Sequence, residues 1–223
     1  MAITFVNSTA LTIATAASTW SIATASSRHG SALFVLGLGP ASSAVKASAV
    51  TDNTTNVWQL AARAGPGKPA AGAELWFARN LSSASTRVSV TWSGATSGSL
   101  ALAQFAGAST NVPWLRGEGN AITANSTTHD ATEVLPTQDN AVVITYARMN
   151  ASTIGTITNG PSLTSWTSTA AAVRQHGMYW IQGAASTTRG RYTASSQCQH
   201  ASVIAVFSDT HTFSWGFSLM GVQ

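Results

Sequence analysis

The sequence predicts an all-β chain, a sandwich or barrel of short antiparallel strands, on three observations. Apolar residues almost never recur at the three-to-four-residue spacing of a helix; they alternate or run in short β-branched and aromatic blocks. These blocks are separated by turn clusters such as GPAS (39–42), GPGKPAAG (65–72) and SGATSGS (93–99), where Gly and Pro supply the dihedrals a turn needs. In TRVSVTW, Val88, Val90 and Trp92 share one face while Arg87, Ser89 and Thr91 share the other, the period of a half-buried strand.

The clearest strands, in order, are ALFVLGL (32–38), NVWQLAA (56–62), ELWFARN (74–80), TRVSVTW (86–92), SLALAQFAG (99–107), AVVITYA (141–147), GMYWIQGA (177–184), ASVIAVF (201–207) and TFSWGFSLMGV (212–222). Weaker blocks are AITFV (2–6), LTIAT (11–15), TWSIAT (19–24), AVKASAVT (44–51), NAITAN (120–125) and SLTSWTS (162–168). Before NVWQLAA, Asp52 and Asn53 can fold back on their own backbone as an Asx-type turn. Trp58 then shares parity with Asn56 and Leu60, which places it on the face a sandwich buries between its sheets. Trp20, Trp76, Trp92, Trp166, Trp180 and Trp215 read as core anchors in the same way, and Trp114, between blocks, does not.

With 223 residues the chain suffices for one large all-β domain or two small ones. Only 8% of the residues are charged, against roughly 25% in ordinary soluble domains, and 59 are Ser or Thr and 39 Ala, so the surface is rich in hydroxyls and poor in charge. An apolar fraction of 44% with a net charge of +4 is the composition of a chain that folds. The pI near 9.8 does not mark a nucleic-acid partner, because the 11 basic residues are scattered and no phosphate-tracking cluster forms. No window of about 20 apolar residues occurs, so no membrane insertion is expected. The start, MAITFVNSTALTIATAAS, lacks the basic region and long apolar core of a signal peptide.

Chemistry-bearing motifs are missing from the linear sequence. No GxSxG elbow occurs. SAVK (43–46) fits SxxK, but a strand there would turn Ser43 and Lys46 to opposite faces. No two of the seven carboxylates lie in a short motif that would mark an acid/base pair, leaving only a distant convergence of residues such as Glu74, Glu118 and Asp130. His29, His129, His176, His200 and His211 show no zinc spacing; His129 with Asp130 and Asp209 with His211 suggest local hydrogen-bonded pairs. Cys198, the single cysteine, cannot form an internal disulfide and reads as a partly buried structural thiol. Sequons at Asn7, Asn53, Asn80, Asn125 and Asn150 follow from the Ser and Thr content and are not expected to carry glycans. No catalytic residue, metal or cofactor is expected.

SALFVLGLG, VTDNTTNVWQLA, AELWFARNLSSASTRVSVTW and SLALAQFAGAS, followed in order by AVVITYA, GMYWIQGA, RGRYTASSQ and HASVIAVFSD, resemble a recurring set of sequences in tailed-phage and bacterial proteins of mostly undefined function. In those, an apolar strand precedes a "tDs.gNtWt" turn and strand, a "yyAkN...g..tvtvt" hairpin and a strand ending in "eysG". Gln104 and Phe105 depart from the last motif. The likeness spans residues 30–209 and implies a single antiparallel two-sheet sandwich of jelly-roll-like form, with residues 1–29 and 210–223 as flanking strands available for subunit contacts. It implies a non-enzymatic structural protein of a tailed-phage virion, a head decoration, spike or tail-fibre subunit, assembled in the host cytoplasm with copies of itself and other virion proteins. In the tail, Phe213, Trp215, Phe217 and Leu219 alternate with Ser214, Gly216, Ser218 and Met220, an aromatic face too large to leave in water and so expected at a subunit interface. The alternative is a carbohydrate-binding or adhesion module. Trp114 with Arg116, Glu118 and Asn120 would then stack and hydrogen-bond a host-surface glycan.

Overall fold

The structure, a computed structural model, describes residues 3–24, 30–64, 72–81, 85–107, 116–130, 141–149, 157–159, 163–169, 175–184, 186–187 and 189–208. Among them are twelve strands and no helix: β1 (Thr4–Ala23), β2 (Gly30–Pro40), β3 (Ala47–Asp52), β4 (Trp58–Ala64), β5 (Ala73–Leu81), β6 (Arg87–Ala106), β7 (Arg116–His129), β8 (Ala141–Met149), β9 (Ile157–Asn159), β10 (Thr164–Thr169), β11 (Gln175–Ile181) and β12 (Tyr192–Ser208). All ladders are antiparallel, and they form two sheets packed as a sandwich.

Each half of the chain builds one sheet, and both sheets have the same topology. The first runs β1-β6-β2-β5-β4 with β3 added to β6; the second runs β7-β12-β8-β11-β10 with β9 added to β12. Setting Phe207 on Phe105 carries Val142 onto Leu33, Tyr179 onto Phe77 and Tyr146 onto Gly37 through the ladder registers. Two ring contacts that cross the sandwich then become images of each other: Phe77 on Phe207, with centroids 5.2 Å apart, and Tyr179 on Phe105, at 5.4 Å, both edge to face. The lateral closures match as well, β4 lying against β7 and β1 against β10. The halves therefore face each other across an approximate two-fold axis. Beside it, Gly37 leaves room for the Tyr146 ring, since a Cβ on Gly37 would stand 2.3 Å from Tyr146 Cδ2. The buried Tyr146 hydroxyl donates to Gln175 Oε1 at 2.7 Å and lies 3.1 Å from Ser99 Oγ, so its polar atom is not stranded in the core.

The inter-sheet core combines Leu33, Val35, Leu75, Phe77, Ala103 and Phe105 with Val142, Ile144, Tyr146, Val203, Ala205 and Phe207. A second core lies on the opposite face of the first sheet. It joins Phe34, Leu36 and Leu102 to Val88, Val90, Trp92, Trp20 and Val50, so the two ends of the single strand β6 pack on one concave surface. That requires a sharp bend. The register between β1 and β6 is broken around Ile13, Ala17 and Thr19, and opposite them Gly98 has φ of 150°, where a Cβ would stand 2.1 Å from Gly39 O. SGATSGS, expected as a turn between two strands, is the bend inside one strand: Thr96 stays paired to β1, and Gly98 and Ser99 to both β1 and β2, while the small residues allow the curl. By the same pairing, AITFV, LTIAT and TWSIAT are one strand, β1.

Trp58 is buried, but the expectation that it lies between the two sheets is corrected: it packs in the outer core, on Phe34 with centroids 6.4 Å apart. The curl of the first sheet gives it a second inward face, which alternation alone does not reveal. The Asx turn before it is present. Asp52 Oδ1 accepts from the Thr54 N–H (2.9 Å) and hydroxyl (2.6 Å), and Oδ2 accepts from Asn56 Nδ2 (2.7 Å) and Trp58 Nε1 (3.4 Å). Trp20, Trp92 and Trp166 are buried, Trp76 and Trp180 half-buried, while Trp114 and the tail with Phe213, Trp215, Phe217 and Leu219 lie outside the described residues. No helix among the described residues is long and apolar enough to cross a membrane.

Candidate functional site

The two halves diverge on the outer face of each sheet, where β6 and β12 break register with β1 and β7. In the first half Trp20 lies over Gly98, a Cβ there falling 3.0 Å from Trp20 Cη2, and the indole N–H donates to Thr96 O at 3.2 Å. In the second half the registers put His129 in the place of Trp20, His200 in that of Gly98 and Cys198 in that of Thr96. The contacts persist with different chemistry: His129 Nδ1 is 2.7 Å from His200 Nδ1, and Cys198 Sγ is 3.4 Å from His129 Nε2. Tyr192 stacks on His129 with centroids 4.9 Å apart, and His176 meets Tyr192 edge-on at 5.3 Å. Met149, Leu163 and Met178 complete the wall.

All five polar side chains are buried. Burial lowers the pKa of His129, and lowers those of His176 and His200 to about 4, so the imidazoles are neutral at pH 7; for His200 the neighbouring His129 adds to the lowering. Burial raises the Cys198 thiol to about 11. Between two neutral imidazoles one Nδ1 donates and the other accepts, a bond that fails when both are protonated. Tyr192 Oη and His200 Nε2 have no hydrogen-bond partner among the described residues. At the rim, Arg191 binds Asp130 through two bonds, Nε to Oδ1 at 2.7 Å and Nη2 to Oδ2 at 2.9 Å, and Ser202 Oγ donates to Asp130 O at 3.1 Å. The Arg191 bond holds the Asp130 pKa down.

Cys198, His129 and His200 stand in the order of nucleophile, base and orienting group. A buried thiol held protonated is a poor nucleophile, however. Both His129 nitrogens are engaged in opposite directions, toward Cys198 and toward His200, so one ion cannot gather all three, and no group of three His, Cys, Asp or Glu set to hold a metal occurs among the described residues. The expected His129–Asp130 pair is corrected: His129, the last residue of β7, turns its ring to His200 and Cys198, while Asp130, just beyond the strand, binds Arg191. Cys198 is fully rather than partly buried.

Among the residues singled out from sequence, Arg116, Glu118 and Asn120 occupy alternate positions on β7, the edge strand of the second sheet, opposite Val206, Ile204 and Ser202 of β12. Glu74 and Asp130 do not converge. Glu74 is buried in the first sheet, where it accepts from Ala47 N (3.1 Å), Trp76 Nε1 (2.8 Å) and Arg63 Nη2 (3.2 Å). Ser43 and Lys46 precede β3 instead of lying on a strand. They line a recess with Arg63 and Glu74 that closes without room for a water molecule.

No protein-family model matches the chain, and no curated protein or solved structure matches it either. The function therefore rests on the molecule's own geometry.

Proposed function

We infer that the chain is a non-enzymatic structural subunit that acts by assembling with copies of itself, as a head decoration, spike or tail-fibre subunit of a tailed-phage virion would. The observation that carries this reading is β1: twenty residues at the edge of the first sheet with no charged residue and no proline, mostly exposed along residues 10–19. Edge strands of monomeric proteins are usually guarded by charge or proline, because unpaired backbone groups recruit other strands. A surface of hydroxyls with few charges gives little protection against association elsewhere. The buried, neutral state of Cys198 and its histidines also fits a role without chemistry. The test is the genomic neighbourhood of the coding sequence together with the mass of the purified protein in solution. Capsid, portal or tail genes and a discrete oligomer are expected; a sugar-metabolism cluster overturns the virion assignment, and a monomer overturns assembly.

The alternating Arg116, Glu118 and Asn120 on β7 favour a second reading, a carbohydrate-binding or adhesion module that takes a host-surface glycan. A glycan array on the isolated protein separates the two: reproducible binding lost in Glu118→Ala supports the module, and a blank array supports the structural subunit.

A further inference from the structure

We propose that the partner of β1 is the β1 strand of a second copy, paired antiparallel about a two-fold axis at Leu11. This rests on the self-assembly reading above and names the surface that would carry it.

The approximate symmetry of the chain supplies an internal control, because β1 and β7 are equivalent strands at equivalent edges of the two sheets. Following the registers, Arg116 stands in the place of Asn7, Glu118 in that of Thr9 and Asn120 in that of Leu11. The β7 edge thus carries two charges within three residues, the usual guard against strand addition, and the β1 edge carries none. Bulges bound the available stretch of β1. Its register on β6 is broken between Phe5 and Asn7 and again after Ile13, leaving a regular ladder from Asn7 to Ile13. Among the described residues no strand adds to the ladder at the outer edge of that stretch; β10 lies against its first residues, where Ser8 Oγ donates to Trp166 O, and Ala10, Leu11 and Thr12 beyond are exposed.

The composition of the stretch selects a copy of itself. A two-fold at Leu11 sets Leu11 opposite Leu11, Ala10 opposite Thr12 and Thr9 opposite Ile13, with no charge to repel or to choose an unlike partner. Leu11 at 39% and Val57 at 71% are the two large apolar side chains that stand exposed among the described residues. Leu11 lies opposite Leu100 on the ladder, and neighbouring Ile13 packs on the outer core, so a second Leu11 would extend that core across the axis.

The experiment compares the full-length protein with Thr9→Glu/Leu11→Asn, which copies the residues of β7 onto β1 and so uses side chains the same strand position tolerates in the other half. Sedimentation velocity over a concentration series is expected to show association weakened at least about tenfold, with circular dichroism and melting temperature little changed. In parallel, Leu11→Cys under mild oxidation is expected to form an interchain disulfide, because directly opposed strand residues fall within disulfide reach, whereas Ser21→Cys, beyond the bend, is not. A folded double variant with the oligomeric mass of the parent, or equal cross-linking through residue 21, overturns the proposal while self-assembly through another surface survives. A parent that is monomeric throughout the series overturns both.

Discussion

A single carboxylate, Asp52, gathers four donors from the next six residues, and this local knot delivers Trp58 to the outer core. Replacing Trp58 with Ala is expected to cost about 3–5 kcal/mol, and Asp52→Ala about 1–2 kcal/mol through the lost turn bonds; urea titrations of each variant measure both. The turn was legible because Asp, Asn and Thr act on their nearest neighbours. The histidine cluster was not, since His129 and His200 are 71 positions apart and no spacing rule reaches that far. Its consequence appears on acidification. His176 and His200 titrate near 4 in the fold and near 6.5 when unfolded, so the unfolded chain binds the extra protons first. Stability is full above pH 6.5, falls as the pH drops toward 4 and levels below it, with a slope of up to about 1.4 kcal/mol per pH unit for each histidine. Asp130 tempers the effect by favouring the charged form of both His129 and His200, and Arg191 and Arg189 hold Asp130 ionised, whereas His129 opposes the charging of His200 and adds to it. Melting temperatures of His200→Gln, with a polar uncharged side chain, should show a flatter profile between pH 6.5 and 4 than those of the parent.

At the scale of a strand, alternation and turn chemistry located most of the blocks that fall among the described residues, and they failed where small residues bend a strand without ending it. Residues 93–99 carry Gly94 and Gly98 among Ser and Thr, the composition of a loop, yet Thr96, Gly98 and Ser99 remain in the ladders, the Ser93 N–H donates to Lys46 O and Ser97 O accepts from the Ala41 N–H. The difference lies in long-range partners: β1 and β2 flank β6 on both edges, and their hydrogen bonds outweigh the local preference to turn. The bend depends on Gly98, whose backbone excludes a side chain both by its dihedral and by the closeness of Gly39 O. Gly98→Ala should therefore destabilise by about 3 kcal/mol or more. It should also loosen the outer core before the inter-sheet core. Hydrogen exchange is the measurement, with Trp20, Val90 and Trp92 losing protection ahead of Val35 and Ile144.

Across the whole molecule, the two-sheet sandwich was predictable from the blocks, while its construction from two copies of one topology was hidden by the residues themselves. Equivalent positions hold Gly37 and Tyr146, Trp20 and His129, Gly98 and His200, or Leu75 and Gly177, pairs too unlike for a repeat to show in the sequence. Inter-sheet positions such as Phe105 and Phe207 keep the same residue, because both meet the same kind of ring across the sandwich. Gly37→Leu should be strongly destabilising, and combining it with Tyr146→Ala should recover part of the loss; urea titrations of the single and double variants give that coupling. The reason is that Gly37 is a hole and Tyr146 the knob that fills it. Two first halves brought together would leave the hole empty, and two second halves would drive one tyrosine into the other. Each half is thus of a distinct mating type and accepts only its opposite, so chains that exchanged halves during assembly would still pair one of each kind and could not sort into like with like.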